Sequence, residues 1–294
     1  MSGASGCGPG EGSVGVAALP ARPPTFEVQF ANDDPSPLSS RASVPGSVVQ
    51  LSGEAAAASD GLAAQLRWPG HPEFGPADYS GVDSRTEITI VRNLGYGTYR
   101  SRLAFGRCEP SEQVVHAMLG FYNDGADRNA NGLRDDVEID FQVLCGDPSL
   151  AYLTVFTDYE VSPEGDELFR KLARVVDLAT GRYYETPADD RDDFVLAGTD
   201  PALRLDGWFA PNQFYELGFE WHAGILRFFV VLDSDPTERT LWTLADSSHV
   251  PEPPVQVIYN LWHPDSLWFP RDGDADFPQR DLTMQIDWFR YWAE

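Results

Sequence analysis

Apolar and polar residues alternate along most of the chain from Phe26 onward, and this period of two is typical of β-strands. In the last segment, apolar residues from Leu282 to Trp288 alternate with polar residues such as Asp287, so the pattern places the two sets on opposite faces. The same pattern predicts strands over residues 88–91, 98–105, 114–122, 137–144, 150–156, 174–178, 183–184, 214–221, 225–232, 255–261 and 282–292. Gly, Pro and Asp separate these runs, which predicts an all-β sandwich of antiparallel sheets.

Helical patterns are weak. Residues 55–66 predict one short helix. Residues 166–176 carry apolar side chains at helical spacing, which competes with the strand predicted at 174–178. There is no internal repeat and no proline-rich linker within residues 25–294, so this stretch is predicted to form a single domain. Residues 1–24 are rich in Gly, Ala, Ser and Pro, and we expect a disordered leader there.

Composition narrows the classes of function. The 294 residues include 46 acidic and 21 basic side chains, which gives a formal net charge of −25. A chain this acidic, without a basic tract, argues against nucleic acid or an anionic membrane surface as a partner. Apolar residues make up 42% of the chain, which is enough for a packed core. No run of 18 apolar residues is present, so no transmembrane helix is predicted.

The N-terminus and the cysteines each leave two interpretations open. The first residues lack the charged start and apolar stretch of a signal peptide, so none is visible in the given N-terminus. Residues 4–7 resemble the end of a bacterial lipoprotein signal, which would make Cys7 a lipidated residue, and the alternative is an ordinary flexible N-terminus. Cys108 and Cys145 either pair in an oxidising compartment or remain buried free thiols.

The most informative segment lies between Asp127 and Cys145. Within it, Val137, Ile139, Phe141 and Val143 are predicted to face the core. The intervening residues Glu138, Asp140 and Gln142 then stand in a row on the opposite face of the sheet. Two carboxylates two residues apart on a strand repel each other. Such a pair serves a ligand, a metal ion or a reaction, or it simply lies on an exposed strand face, and the pattern leaves both interpretations open.

Residues 138–142, Glu-Ile-Asp-Phe-Gln, resemble the active-site strand of glycoside hydrolase family sixteen, whose motif is Glu-x-Asp-x-Glu. Family members include laminarinases, lichenases, agarases and xyloglucan transglycosylases. Further stretches resemble family signatures in the family's order, at residues 95–103, 114–122, 214–230, 260–262 and 284–290. The resemblance covers about residues 85–294. It implies a β-jelly roll of two curved antiparallel sheets with a glycan cleft on the concave face.

The resemblance also assigns catalytic roles. Glu138 takes the position of the nucleophile in a retaining mechanism, Asp140 that of its helper, and Gln142 stands where the acid/base Glu belongs. A carboxamide binds a glycosidic oxygen but has no proton to give, and general acid catalysis is worth about 10²–10⁴ in rate. The sequence therefore predicts a β-glycan-binding protein that hydrolyses weakly. The alternatives are an active retaining endo-β-glycanase with a relocated general acid, and a structural surface protein without a ligand.

The resemblance further implies a polysaccharide or oligosaccharide partner, and it places residues along the cleft. Tyr122, Asn123, Asn260 and Trp262 match cleft-lining positions, and Trp268 lies across a turn from Trp262, so either Trp is a candidate to stack on a sugar ring. The other interpretation is that these aromatics belong to the core. A monomer that is extracellular, periplasmic or tethered to the cell surface is expected, with no organic cofactor.

A calcium-like loop precedes the active-site strand. Asp127, Asn129, Asn131 and the glycine that follows match the start of an EF-hand-type loop, with Asp135 at its ninth position. No amphipathic helices flank it, and the twelfth position is Glu138, which the resemblance gives another role. We therefore expect a shorter structural Ca²⁺ loop that uses Asp127, Asn129, Asn131 and either Asp135 or Asp136. The alternative is an Asn/Asp/Gly turn without a metal ion.

Overall fold

The computed structural model describes residues 22–31, 37–75, 77–81, 83–106, 113–163, 165, 167–187, 193–208 and 213–294. Within these residues the chain forms seventeen strands and one short 3₁₀ turn, Pro201–Leu203. The strands are β1 (Phe26–Gln29), β2 (Leu38–Ala42), β3 (Val48–Glu54), β4 (Leu62–Trp68), β5 (Arg85–Leu94), β6 (Gly97–Ala104), β7 (Val115–Tyr122), β8 (Arg134–Leu144), β9 (Leu150–Val161), β10 (Glu167–Asp177), β11 (Arg182–Glu185), β12 (Val195–Thr199), β13 (Tyr215–His222), β14 (Ile225–Leu232), β15 (Asp235–Leu244), β16 (Val255–Trp262) and β17 (Leu282–Ala293).

The strands form two antiparallel sheets. The eight-stranded sheet has the order β15-β14-β13-β6-β17-β4-β3, and β1 pairs with β17 beside this path. The nine-stranded sheet has the order β12-β11-β10-β9-β8-β7-β16-β5-β2. The all-β sandwich that the alternation predicts is therefore confirmed. In the nine-stranded sheet, β8 lies between β7 and β9 near the middle, and this position sets the place of the candidate site.

The core lies between the two sheets. Val137, Ile139, Phe141 and Val143 of β8 enter it, as predicted, and each is almost fully buried. Burying one such side chain contributes about 1.5–3 kcal/mol to folding. Because side chains alternate along a strand, the residues between them are held on the other face of the sheet.

A β-bulge in β17 changes the alternation near the chain end. The pairing of β17 with β6 shifts between Ile286 and Trp288, so one extra residue is inserted and later side chains change face. Ile286 and Phe289 both belong to the core, whereas Trp288 leaves it and packs under Arg290 at 4.2 Å. The prediction that Trp288 shares a face with the residues from Leu282 onward was therefore wrong.

The helix predicted at residues 55–66 is absent, and the second segment forms a strand rather than the competing helix. Residues 55–61 form turns, and β4 follows them directly. The described part of the second segment lies in β10, which pairs along its whole length with β9. In β10, cross-strand pairing overrides a local apolar spacing that also fits a helix.

Some sequence predictions fall partly outside the described residues. Cys145 is disulfide-bonded, which settles its state, and Cys7 and Cys108 are not among the described residues. Most of the predicted leader, residues 1–21, is also outside them. Within the described ranges, no helix is long and apolar enough to cross a membrane.

Candidate active site

Glu138, Asp140 and Gln142 project from β8 on the face of the nine-stranded sheet that is turned away from the core. Strand register places aromatic residues on both sides of Glu138, namely Phe121 on β7 and Phe156 on β9. Glu138 and Gln142 are partly exposed, and Asp140 is 3% exposed. The polar face that the alternation predicts is therefore present.

Asp136 extends the same row by one position. The register of β8 against β9 shifts between Asp135 and Glu138, so Asp135 and Asp136 point to different sides of the sheet. Asp136 is 3% exposed, accepts a hydrogen bond from Asn123 Nδ2 at 3.0 Å, and acts electrostatically on both Glu138 and Asp140. We call Asp136, Glu138, Asp140 and Gln142 the polar row.

Burial and mutual repulsion raise the pKa values of the carboxyl groups in the polar row. Burial raises the pKa of Glu138 to about 7, and the charge of Asp136 adds to this effect. Burial also raises the pKa of Asp140 well above its usual range, helped by the charge of Glu138 and a hydrogen bond with it. Burial raises the pKa of Asp136 to about 6. At neutral pH the Glu138–Asp140 pair therefore retains a proton.

Two carboxamides flank a small residue beside the row. Ala117 on β7 pairs with Gln142 on one side and with Asn260 of β16 on the other. With strands spaced about 4.8 Å apart, the Gln142 and Asn260 Cα atoms are separated by about 10 Å. Asn260 is 5% exposed, and its Oδ1 atom is buried without a hydrogen-bond partner. Within the described residues, the Gln142 side chain also makes no hydrogen bond.

Two tryptophans lie at the Gln142 end of the row. Trp262 follows Asn260 by two residues on the same face of β16, and its ring lies 5.6 Å from that of Trp268. Trp268 packs at 5.1 Å against Tyr152, the β9 neighbour of Gln142. The Tyr152 hydroxyl donates a hydrogen bond to the Phe269 carbonyl at 2.6 Å. Both tryptophans remain partly exposed.

The other two predicted cleft residues lie in different places. Tyr122 packs on the core side of β7, and the Arg128 guanidinium stacks on its ring at 4.7 Å. Phe121 takes the side of the polar row instead. Asn123 is exposed just past the end of β7, and its contact with the row is the hydrogen bond to Asp136.

The oxygens of the predicted calcium loop bind backbone amides. Asp127 accepts hydrogen bonds from the Asn131 and Gly132 amides at 3.1 and 2.9 Å, and the Asn129 side chain accepts one from the Asn131 amide at 3.0 Å. Asp135 remains at the loop, where its Oδ2 accepts from the Arg128 amide at 2.9 Å. Asp136 is separated from the loop by its place in the polar row. Among the described residues, no three His, Cys, Asp or Glu side chains gather around a metal position.

Sequence reasoning missed three features of this region. Asp136 continues the alternation of Glu138 and Asp140 by one step, so the pattern itself could have placed it in the row. Lys171 on β10 acts on Glu138 and Asp140 from two strands away, and no local pattern reveals that neighbour. Asp158 lies directly opposite Asp135 on β9, a pairing that only the sheet register defines.

Sequence comparison alone finds no relative, since no family model and no curated protein matches the chain. Solved structures do match. A Bacillus licheniformis β-glucanase superposes with a TM-score of 0.52 at 14% identity, covering 94% of this chain and all of that one. The chain shares the jelly-roll fold of this enzyme.

Two further β-glucanase structures have the same fold. A prokaryotic β-1,3-1,4-glucanase (lichenase) derived from a mouse hindgut metagenome gives a TM-score of 0.51 at 16% identity, over 92% of this chain and 99% of that one. The catalytic domain of an endo-1,3-β-glucanase (laminarinase) from Thermotoga petrophila gives 0.51 at 15% identity, over 91% and 96%. These matches confirm the jelly-roll fold that the resemblance to glycoside hydrolase family sixteen implies.

Proposed function

We propose that this protein binds a β-glycan on the face that carries the polar row, and that it hydrolyses the glycan weakly. The observation that carries the proposal is Gln142, a carboxamide at the position where a family-sixteen enzyme has its proton donor. The β-glucanase fold of the chain supports a glycan as the ligand.

The surroundings of the row suit a carbohydrate. Sugar sites combine a few polar groups of fixed orientation with aromatic or apolar surface. Asn260 and Gln142 supply amide donors and acceptors without partners of their own in the described chain, and Asn260 Oδ1 gains a missing hydrogen bond when a hydroxyl binds it. Trp262 and Trp268 supply partly exposed aromatic surface beside them.

Two features lower the expected rate of hydrolysis. Gln142 has no proton to donate to the leaving oxygen. Without general acid catalysis, the rate of hydrolysis is lower by a factor of about 10²–10⁴. Glu138, the residue at the nucleophile position, has a pKa raised to about 7 by burial, so much of it is protonated and unable to attack at neutral pH. Both effects weaken turnover, whereas neither prevents binding.

The competing hypothesis is an active endo-β-glycanase in which another carboxyl group supplies the proton. Asp136 lies in the row on the other side of Glu138 from Gln142, so an Asp136→Asn variant belongs in every activity assay. If the native chain hydrolyses glycan at ordinary glycosidase rates and Asp136→Asn abolishes this, the competing hypothesis replaces the proposal.

Isothermal titration against laminarin, lichenan and agar oligosaccharides tests binding directly. We expect saturable binding to at least one of them, weakened about tenfold in Trp262→Ala because stacked aromatic surface is lost. Leu196→Ala is a matched control, since Leu196 is exposed on the edge strand β12 of the same sheet. Absence of binding to every glycan would overturn the proposal and favour a structural surface protein.

The proposal also includes a monomer that works outside the cytoplasm, as the family resemblance implies. Size-exclusion chromatography with light scattering checks the first point, and cell fractionation with an antibody checks the second. A stable dimer or a cytoplasmic pool would contradict these two parts without affecting the glycan-binding test.

A further inference from the structure

A pair of buried carboxylates lies at the start of β8, on the other side of the sheet from the polar row. Asp135 on β8 and Asp158 on β9 are direct register partners, and they are 7% and 2% exposed. Side chains in such positions have Cβ atoms about 4.5–5.5 Å apart, and like charges there repel each other. The pair therefore needs a positive group or strong hydrogen-bond donors close by.

The protein satisfies only part of this need. Asp135 Oδ2 accepts from the Arg128 amide at 2.9 Å, and Asp158 Oδ1 accepts from Asn131 Nδ2 at 3.0 Å. Asp135 Oδ1 is buried and has no hydrogen-bond partner. A buried acceptor without a partner is unfavourable, and a charged one more so. This oxygen therefore lacks the hydrogen bond or the cation that a buried carboxylate needs.

The two carboxylates lie at the wall of a cavity. Asp135 and Asp158 line a cavity of about 480 Å³ together with Asn129 and Asn131 of the loop. The loop residues are exposed, which gives an ion a route from solvent.

Three other charged groups line the same cavity: Glu252, Arg128 and Arg170. The Arg128 guanidinium binds Asp124 and stacks on Tyr122, so it is directed elsewhere. Arg170 lies opposite Asp158 on β10 and is the basic side chain whose register brings it nearest to the pair.

We propose that Asp135 and Asp158 hold a divalent cation at the cavity wall, with Ca²⁺ the ion that fits best. The donors on offer are carboxylate and amide oxygens, which are the ligands of hard cations. The proposal keeps the loop residues Asp127, Asn129 and Asn131 as neighbours of the site and assigns Asp158, rather than Asp136, as the second carboxylate. With two buried carboxylates and a basic neighbour, we expect a dissociation constant of about 10⁻⁴ M, as in weak extracellular calcium modules.

Thermal unfolding of the full chain tests the proposal. We compare EDTA with about 10 mM CaCl₂ at matched ionic strength, and expect Ca²⁺ to raise Tm by about 5 °C or more. Asp158→Asn and Asp135→Asn should lose this rise, whereas Asp206→Asn, an exposed site outside the cavity, should keep it. An unchanged Tm of the native chain, or an equal rise in Asp158→Asn, would overturn the proposal.

A second measurement does not depend on the variants folding. Tb³⁺ added to the native chain should give saturable luminescence excited through tyrosine, because Tyr159 follows Asp158 directly, and Ca²⁺ should displace it. Tb³⁺ emission that Ca²⁺ leaves unchanged, or no emission at all, would contradict a calcium site here.

Discussion

Gln142 and Asn260 lie on either side of Ala117, on one line across the nine-stranded sheet. Neither of these side-chain oxygens accepts a hydrogen bond from the described chain. Asn260 Oδ1 is buried without a partner, and the Gln142 side chain makes no hydrogen bond within the described residues. The two amides lie at the end of the row where the proton donor is missing.

Asn260→Ala should weaken glycan binding by about 2- to 10-fold, because one hydrogen bond to the ligand is worth about 0.5–1.5 kcal/mol. Isothermal titration measures the change. Asn93→Ala is the matched control, since Asn93 is an exposed side chain near the end of β5. Equal losses in the two variants would show that Asn260 has no specific part in binding.

Glu138→Gln should stabilise the fold at high pH. The unfolded chain releases the Glu138 proton near the ordinary glutamate pKa of 4.5, whereas burial raises the pKa to about 7 in the folded state. The free energy of unfolding therefore falls as pH rises from about 4.5 to 7, and it stays lower at higher pH because Glu138 is then buried as a charged group. We expect the variant to exceed the native chain by up to about 3 kcal/mol at pH 8 and to match it at pH 4.

Urea unfolding across this pH range measures the difference. Glu160→Gln provides the control, since Glu160 is an exposed carboxyl at the far end of β9. A Glu138→Gln variant that is no more stable than the native chain at pH 8 would show that burial of this carboxyl is not unfavourable.

His116 should have the opposite pH dependence. It is fully buried on the core side of β7, and burial lowers its pKa from 6.5 to about 4. As pH falls from 6.5 to 4, His116 becomes protonated in the unfolded chain but stays neutral in the folded chain. The free energy of unfolding therefore decreases on acidification over this range. His116→Phe, next to the Phe105 ring, should remove that loss. The readout is the native-minus-variant difference in Tm at pH 4.5 and 7, and a constant difference would contradict the expectation.

Asp287→Ala should destabilise the eight-stranded sheet by about 3 kcal/mol, because it leaves a largely buried Arg102 without its buried partner. Asp287 also accepts hydrogen bonds from the Ser59 amide at 3.0 Å and hydroxyl at 2.8 Å. Asp233 binds the same arginine but is 43% exposed, so Asp233→Ala should change stability by about 1 kcal/mol or less. Similar small losses in both variants, measured by urea unfolding, would contradict this ranking.

The sequence was informative along β8, where one face of the strand is buried. The alternation from Val137 to Val143 predicts both the strand and its two faces, because burial enforces the period of two. The weakly apolar edge strands β2 and β12 escaped detection, since their exposed side chains impose no such period. The bulge in β17 misled the assignment of Trp288, because an extra residue leaves no mark in composition.

The candidate site was predictable along one strand and hidden across strands. Glu138, Asp140 and Gln142 follow from local alternation and a short motif. Lys171 reaches the polar row, and Asp158 reaches Asp135, through the register of β9 and β10. That register depends on long-range pairing that one sequence does not display. The raised pKa of Glu138 likewise depends on burial that is set by the whole sheet.

Chromatographic analysis of the products from laminarin and lichenan tests the central claim most directly, with the native chain beside Gln142→Glu. The account predicts little hydrolysis by the native protein and a gain of about 10²–10⁴ in the variant, which a second substitution, Glu138→Gln, abolishes. Turnover by the native chain at about 1 s⁻¹ or faster, with no gain in Gln142→Glu, would contradict it.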